Sequence, residues 1–221
     1  MPDNKQMRVI AGTYRSRQLI APRGSDTRPT SDRLRETLFN ILSPRVAGCR
    51  FADLYAGTGA VGIEAISRGA AQVWFAEKAE PALAAIRDNL KALKITRGFT
   101  IEERGTGALL ERLAKKAQKA AAQSLPAEAA EALAATTNST QPGDGLDLVY
   151  LDPPWETEAE FANTLHLLGS ARGRLVLAPD ALVVAEHKSK DPLAARYGEL
   201  VQTRTLKQGD AALSFYAIAA E

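Results

Sequence analysis

The stretch Phe51-Ala52-Asp53-Leu54-Tyr55-Ala56-Gly57-Thr58-Gly59-Ala60-Val61-Gly62 runs from an apolar segment into a Gly-rich corner. A helical pattern follows at once, with Ile63 and Ile66 on it and Glu64 and Ser67 between. That is strand, tight turn, helix. Glycines at such a corner allow positive φ and a close ligand approach. The helix behind them offers unpaired N–H groups. A second strand pattern, Gln72-Val73-Trp74-Phe75-Ala76-Glu77, ends on an acid. A carboxylate at the tip of a second strand, roughly 20 residues past a Gly turn, suits the two hydroxyls of a ribose.

The glycine spacing selects among nucleotides. A dinucleotide site uses G-x-G-x-x-G with pyrophosphate on the helix N-terminus. Here an acid precedes the glycines, as Asp53-x-Tyr55-x-Gly57-x-Gly59. A carboxylate would repel a pyrophosphate and would suit an ammonium group. S-adenosylmethionine carries that ammonium, a ribose and no phosphate. The expected cofactor residues are Asp53, Tyr55, Ala56, Gly57, Thr58, Gly59, Glu77 and Lys78. The plainer alternative is an ordinary strand–helix turn in an α/β fold.

At 221 residues the chain fits one domain with a small appendage. Its 45% hydrophobic and 24% charged content is that of a soluble globular protein. No apolar run approaches the ~20 residues of a membrane span, and Met1 to Met7 is polar. A single cysteine, Cys49, excludes an internal disulfide. Two histidines, His166 and His187, are too few for a His-based metal centre. A cytoplasmic protein without metal or membrane association is expected. The net charge of +2 is uneven. Residues 1–50 hold ten Lys/Arg against four Asp/Glu, a balance of +6, and the remainder holds 18 against 22, a balance of −4. The basic excess is therefore N-terminal, as for an arm that meets phosphates.

In chain order, Arg8 to Ile20 reads as a short hairpin around Gly12 and Arg15–Arg17. Pro22 to Pro29 is a loop. Thr30 or Ser31 caps a helix whose apolar stripe is Leu34, Leu38, Ile41 and Leu42, with Arg33 and Arg35 facing elsewhere. Pro81 starts a helix with Leu83, Ile86, Leu90 and Leu93 on one side. Phe99-Thr100-Ile101 is a short third strand, and Leu109 to Lys116 a third helix. Residues 117–145 hold ten alanines and end in a Gly/Pro/Thr-rich run. They read as an Ala-rich insert with a flexible loop. Leu146 to Leu151 is a fourth strand, which delivers Asp152-Pro153-Pro154-Trp155. Two prolines remove two N–H donors and stiffen the backbone, so the local carbonyls are held outward. An acid and fixed carbonyls make an acceptor pair for an exocyclic amine, and the indole offers a face for a base. Leu182 to His187 is a fifth strand. Leu200–Thr205 and Ala212–Ile218 close the sheet as a pair.

This alternation implies an α/β fold: a mostly parallel seven-stranded sheet with an antiparallel closing strand and helices on both faces. Residues 1–48 form a basic hairpin and helix extension, and 49–221 the main domain. Ligands in such sheets lie at the carboxyl ends of strands. Asp53, Glu77 and Asp152 all fall at that edge, which points to methyl transfer onto an amine nitrogen.

The chain resembles the RsmD family of bacterial 16S rRNA guanine-N2 methyltransferases over nearly its whole length. The resemblance rests on Arg8-Val9-Ile10-Ala11-Gly12, on Arg28-Pro29-Thr30, on Arg35-Glu36-Thr37-Leu38-Phe39-Asn40-Ile41-Leu42, on Asp53 through Gly59 with Glu64 to Ala70, and on Asp152-Pro153-Pro154. It implies a class I S-adenosylmethionine-dependent methyltransferase fold and a guanine of the small ribosomal subunit as target. The partner would be 16S rRNA in the 30S subunit or its assembly intermediate, met by a monomer. Trp155 stands where relatives usually carry Phe or Tyr. Glu102-Glu103-Arg104-Gly105-Thr106 shows no obvious acid at the usual adenine-contacting position, and the Ala-rich insert is unlike the family. The target guanine would leave its stack and lie on Trp155, with Asp152 and the Pro153 carbonyl accepting from its amine and Pro154 stiffening the turn. Arg8, Arg15, Arg17, Arg23, Arg28, Thr30, Arg33 and Arg35 would meet RNA phosphates. The rival readings are a DNA adenine-N6 methyltransferase, a nicotinamide-dependent dehydrogenase and a non-catalytic RNA-binding module.

Overall fold

Among the described residues eight strands build one sheet: β1 (Arg50–Leu54), β2 (Gln72–Ala76), β3 (Phe99–Glu102), β4 (Leu146–Leu151), β5 (Leu177–Lys188), β6 (Arg196–Tyr197), β7 (Leu200–Gln208) and β8 (Ala211–Ile218). Their order is β3-β2-β1-β4-β5-β8-β7-β6. The first five are parallel, while β8 is antiparallel to β5 and to β7. The computed structural model describes residues 7–21, 31–123, 145–154 and 157–219. Arg23, Arg28, Thr30, Trp155 and residues 124–144 of the Ala-rich segment lie outside the described residues.

Central parallel strands bury both faces and so read as near-continuous apolar runs. Phe51 to Leu54 and Val73 to Ala76 are buried without a break. The helices are α1 (Asp32–Val46), α2 (Ala60–Ser67), α3 (Glu80–Ala92), α4 (Thr106–Gln123), α5 (Glu158–Leu168) and the short α6 (Ala171–Arg174). One face of the sheet packs Leu38, Phe39 and Leu42 of α1, Ile63 of α2, and Ile86 and Leu90 of α3. The other packs Leu109 and Leu110 of α4 with Phe161, Leu165 and Leu168 of α5. Among the described residues no helix is long and apolar enough to cross a membrane.

The sheet differs from the expected seven strands by the two-residue β6, which pairs with Leu200 and Val201. The β5 strand starts at Leu177, five residues before the reading by apolar run, because Pro179 and Asp180 interrupt that run. The third expected helix begins earlier and runs on to Gln123, since alanines continue it without penalty. Neither α5 nor α6 was anticipated.

The N-terminal hairpin forms a strap rather than a free arm. Arg8 and Gln18 bridge antiparallel. Met7, Val9 and Leu19 are buried in the same core as Phe51 and Ile63. The strap runs along α2. The buried Glu64 carboxylate accepts from Ile10 N–H at 2.7 Å and Ala11 N–H at 3.0 Å. At the far end of α2, Ser67 Oγ accepts from Tyr14 N–H at 2.9 Å, and Ser67 O accepts from Thr13 N–H at 2.8 Å. Gly12 lies so close that a Cβ there would sit 1.9 Å from Ser67 O.

Candidate active site

Hydrogen bonds carry the sheet ladder past the last paired residues of β1, β2 and β4. Ala56 N–H donates to Ala76 O at 3.0 Å, Glu77 N–H to Glu102 O at 3.1 Å, and Asp152 N–H to Leu54 O at 3.4 Å. The carboxyl edge therefore gathers the turn after β1, Glu77 and Asp152 on three adjacent strands.

The turn itself is built from left-handed backbone. Tyr55, Gly57 and Gly59 have φ of 64°, 53° and 75°, and Gly59 is the N-cap of α2. Gly57 presents open space where a Cβ would stand. Glu77 is half-buried beside it. Its Oε2 accepts from Gly57 N–H at 2.9 Å, and its Oε1 accepts from Lys78 and Ala79 N–H at 2.8 and 2.9 Å. The acid thus fixes the turn from the end of the adjacent strand, a role the spacing alone did not reveal. An ionised carboxylate has about four lone-pair sites, so hydroxyl donors can still be accepted. An open glycine and a carboxylate at the tip of β2 fit the ribose and backbone-approach demands of S-adenosylmethionine.

Removing that carboxylate gives the first expected result. Glu77→Ala weakens cofactor binding by ~1–3 kcal/mol, because ribose hydroxyls lose their acceptor and the turn loses its tie. Calorimetry with S-adenosylhomocysteine measures this; an unchanged affinity removes Glu77 from the site.

Asp53 corrects the sequence reading. It is 1% exposed, and its Oδ2 accepts from Gly62 N–H at 2.8 Å. Burial pushes its carboxyl up to about 8, the Gly62 amide opposes this, and the charge of Glu77 adds to it. A neutral, enclosed acid is a poor counter-ion for an ammonium, so Asp53 braces α2 against β1 from behind the turn. A folded-state value raised above the ordinary 3.8 stabilises fully below about pH 4, and that contribution is lost as pH rises toward 8. Wild-type melting temperature is therefore expected to fall across pH 5 to 8 more steeply than that of Asp53→Asn, which cannot ionise. Equal slopes in thermal melts of the two proteins would contradict a neutral Asp53.

Tyr55 also departs from expectation. Its hydroxyl donates to Glu160 Oε2 at 2.6 Å and meets Thr164 Oγ1 at 2.7 Å, so the ring packs on α5 and only its backbone shapes the turn. Lys78 is exposed, with Nζ 4.0 Å from Glu160 Oε1. Ala56 is buried and Thr58 half-buried within the turn. Glu102, at the end of β3, is held by Arg104 at 3.0 Å and Arg112 at 3.2 Å.

Asp152 is half-buried at the end of β4, Pro153 is buried and Pro154 exposed. The Pro154 carbonyl is not free: it accepts from Thr157 N–H at 2.9 Å and Thr157 Oγ1 at 2.6 Å. This closes the turn into α5. Below them Tyr150 donates to the buried Glu186 of β5.

Among the basic residues, Arg8, Arg15, Arg17 and Arg33 are exposed. Arg15 and Arg17 lie near the strap tip, at the end of α2 remote from Asp152. Arg35 is withdrawn from the phosphate-facing set. It is fully buried, and its Nη2 donates to Arg8 O and to Asp32 Oδ1. Its Nε and Nη1 have no partner among the described residues. A cleft of about 220 Å³ between α4, α5 and α6, lined by Leu110, Leu167, Leu168 and Val176 among others, involves none of these side chains.

Comparison with known proteins agrees with this geometry. The family model described as "Conserved hypothetical protein 95" matches residues 7–123 and 113–217. YlbH of Bacillus subtilis, named provisionally as an rRNA methyltransferase, is 30% identical over 210 residues, 95% of this chain and 98% of that one. Ribosomal RNA small subunit methyltransferase D of Escherichia coli is 43% identical over 89 residues, 40% of this chain and 45% of that protein. The solved structure of yhhF from Escherichia coli, named provisionally as a methyltransferase, superposes with a TM-score of 0.70 at 26% identity, covering 98% of this chain and 99% of that one. A class I sheet, a Gly turn tied to an acid on β2 and an Asp-Pro-Pro turn beside it thus stand in a chain matched almost end to end, and the chain belongs to this family, the RsmD family of S-adenosylmethionine-dependent rRNA methyltransferases.

Proposed function

We propose that this protein, acting as a cytoplasmic monomer, methylates the N2 amine of a guanine in 16S rRNA, within the 30S subunit or its assembly intermediate. The observation that carries the reading is the adjacency of Asp152 to the cofactor turn, through the bond from Asp152 N–H to Leu54 O.

When bound, S-adenosylmethionine supplies an electrophilic methyl group on sulfur. Glu77 accepts from the ribose hydroxyls, and Gly57 lets the cofactor approach the backbone. Asp152 and the Pro153 carbonyl accept the two N–H donors of the guanine amine and so aim the nitrogen lone pair; as the N–C bond forms and the S–C bond breaks, S-adenosylhomocysteine would be the leaving group and the surplus amine proton would pass to the Asp152 carboxylate. Trp155 stacks on the flipped base. Holding two reactants in line supplies most of the rate. Arg8, Arg15, Arg17 and Arg33, with Arg23, Arg28 and Thr30, meet phosphates and set register without reading sequence.

The test is transfer of a tritiated methyl group to unmethylated 30S subunits and to duplex DNA, followed by nucleoside digestion. Label in N2-methylguanosine of the 30S rRNA is expected. Label in N6-methyladenine of DNA would instead favour the second use of an Asp-Pro-Pro turn, and no transfer to either would favour a non-catalytic RNA-binding module.

A further inference from the structure

Asn89 stands on the apolar stripe of α3, one turn after Ile86 and beside Leu90, and is 1% exposed. A buried amide is costly unless its donors and acceptor are satisfied. Two separate parts of the chain satisfy this one. Its Oδ1 accepts from Ile20 N–H at 2.6 Å, and its Nδ2 donates to Ile20 O at 3.0 Å and to Thr58 O at 3.1 Å. Ile20 stands at the C-terminal end of the strap. Thr58 lies between the two glycines of the cofactor turn. The other end of the strap returns to the same residue, with Thr58 Oγ1 3.6 Å from Met7 Sδ. Both ends of the strap therefore close on the turn.

We propose that Asn89 is a positioning residue that fastens the strap to the cofactor turn, so that cofactor in the turn and RNA on Arg8, Arg15 and Arg17 tighten each other's binding; the RNA half rests on the function proposed above. The turn has left-handed backbone at Gly57 and Gly59, and Asn89 holds the Thr58 carbonyl between them from outside the turn. A ligand that orders the turn orders the strap, and a second ligand on the strap then meets a smaller ordering cost. Such coupling is reciprocal.

The affinity for unmethylated 30S subunits is measured with and without saturating S-adenosylhomocysteine. In the wild type the ratio of the two affinities is expected between about 5 and 100, the ordinary range of such coupling. In Asn89→Ala each ligand still binds but the ratio falls to within about twofold of one. A merely structural role would lower the melting temperature and leave the ratio unchanged, and that result overturns the proposal. A second arm needs no variant: in the wild type without RNA, S-adenosylhomocysteine slows amide exchange at Ile10, Ala11 and Ile20 at least about fivefold, within the same coupling range. Unaltered exchange overturns the link through Asn89. Failure of the protein to bind 30S subunits at all removes the RNA reading, and the exchange result then decides on Asn89 alone.

Discussion

Replacing Asp152 by alanine lowers single-turnover methyl transfer at least about a hundredfold while S-adenosylhomocysteine binding largely survives. Asp152 follows β4 directly, and its amide is tied to β1. In the proposed mechanism its carboxylate is the ionisable half of the pair that accepts from the guanine amine. Losing a charge-assisted hydrogen bond to the amine costs about 1.5–3 kcal/mol. Loosening the attack geometry adds a factor on the order of a hundred. Asp152→Asn should fall between the two, since its carbonyl still accepts one N–H while its amide group would face a second donor. Trp155→Ala should chiefly weaken RNA capture, at ~1–3 kcal/mol per stacked base. The assay is single-turnover methylation of 30S subunits at saturating cofactor. A near-normal rate in Asp152→Ala would reduce the motif to a stiff turn and remove the catalytic reading with it.

The fold was legible because strands buried on both faces announce themselves as unbroken apolar runs. Val73 to Ala76 is such a run and Phe51 to Leu54 is one broken only by Asp53, each followed by a residue whose chemistry differs from the run. The long β5 was not legible over its first half, where Pro179 and Asp180 break the pattern, and α5 was hidden by the acids and Thr around its apolar positions. The spacing places Glu77 and Asp152 at strand tips, and there they stand, directly after β2 and β4. Asp53 was misread because spacing says which residue lies near the turn and not whether its side chain faces the ligand or the core. Arg35 was misread for the same reason: a basic residue off the main apolar stripe of α1 was assigned to solvent, although it tethers the strap at Arg8 O. Glu64 and Asn89 carried a signal that went unused. Each is a polar residue among apolar ones, Glu64 within the stretch Ala60 to Ile66 and Asn89 on the helix face that carries Leu83, Ile86 and Leu90. A polar group on a buried face marks an obligatory partner, here the strap in both cases.

Glu64→Ala is expected to detach the strap while leaving the sheet folded. The Glu64 side chain is fully buried and pairs with Arg68 Nε at 2.7 Å, in addition to accepting the Ile10 and Ala11 amides. Removing one member of a buried pair costs about 3–5 kcal/mol. At about 2–4 °C per kcal/mol for a chain of this size, the melting temperature falls by roughly 6–20 °C. Glu64→Gln keeps one acceptor oxygen and should lose less. The local consequence separates the strap from the rest: amide exchange at Ile10, Ala11 and Tyr14 accelerates, while β1 and β4 amides change only with the global stability. The functional consequence follows from the arginines the strap carries. Withdrawing one arginine from a phosphate lowers the salt slope of RNA binding by about one. A detached strap therefore flattens that slope, whereas S-adenosylhomocysteine still finds Glu77 and Gly57. Unchanged protection at Ile10 and Ala11 in Glu64→Ala would mean that the strap is held by its apolar residues Met7, Val9 and Leu19 alone, and that the buried carboxylate serves only Arg68.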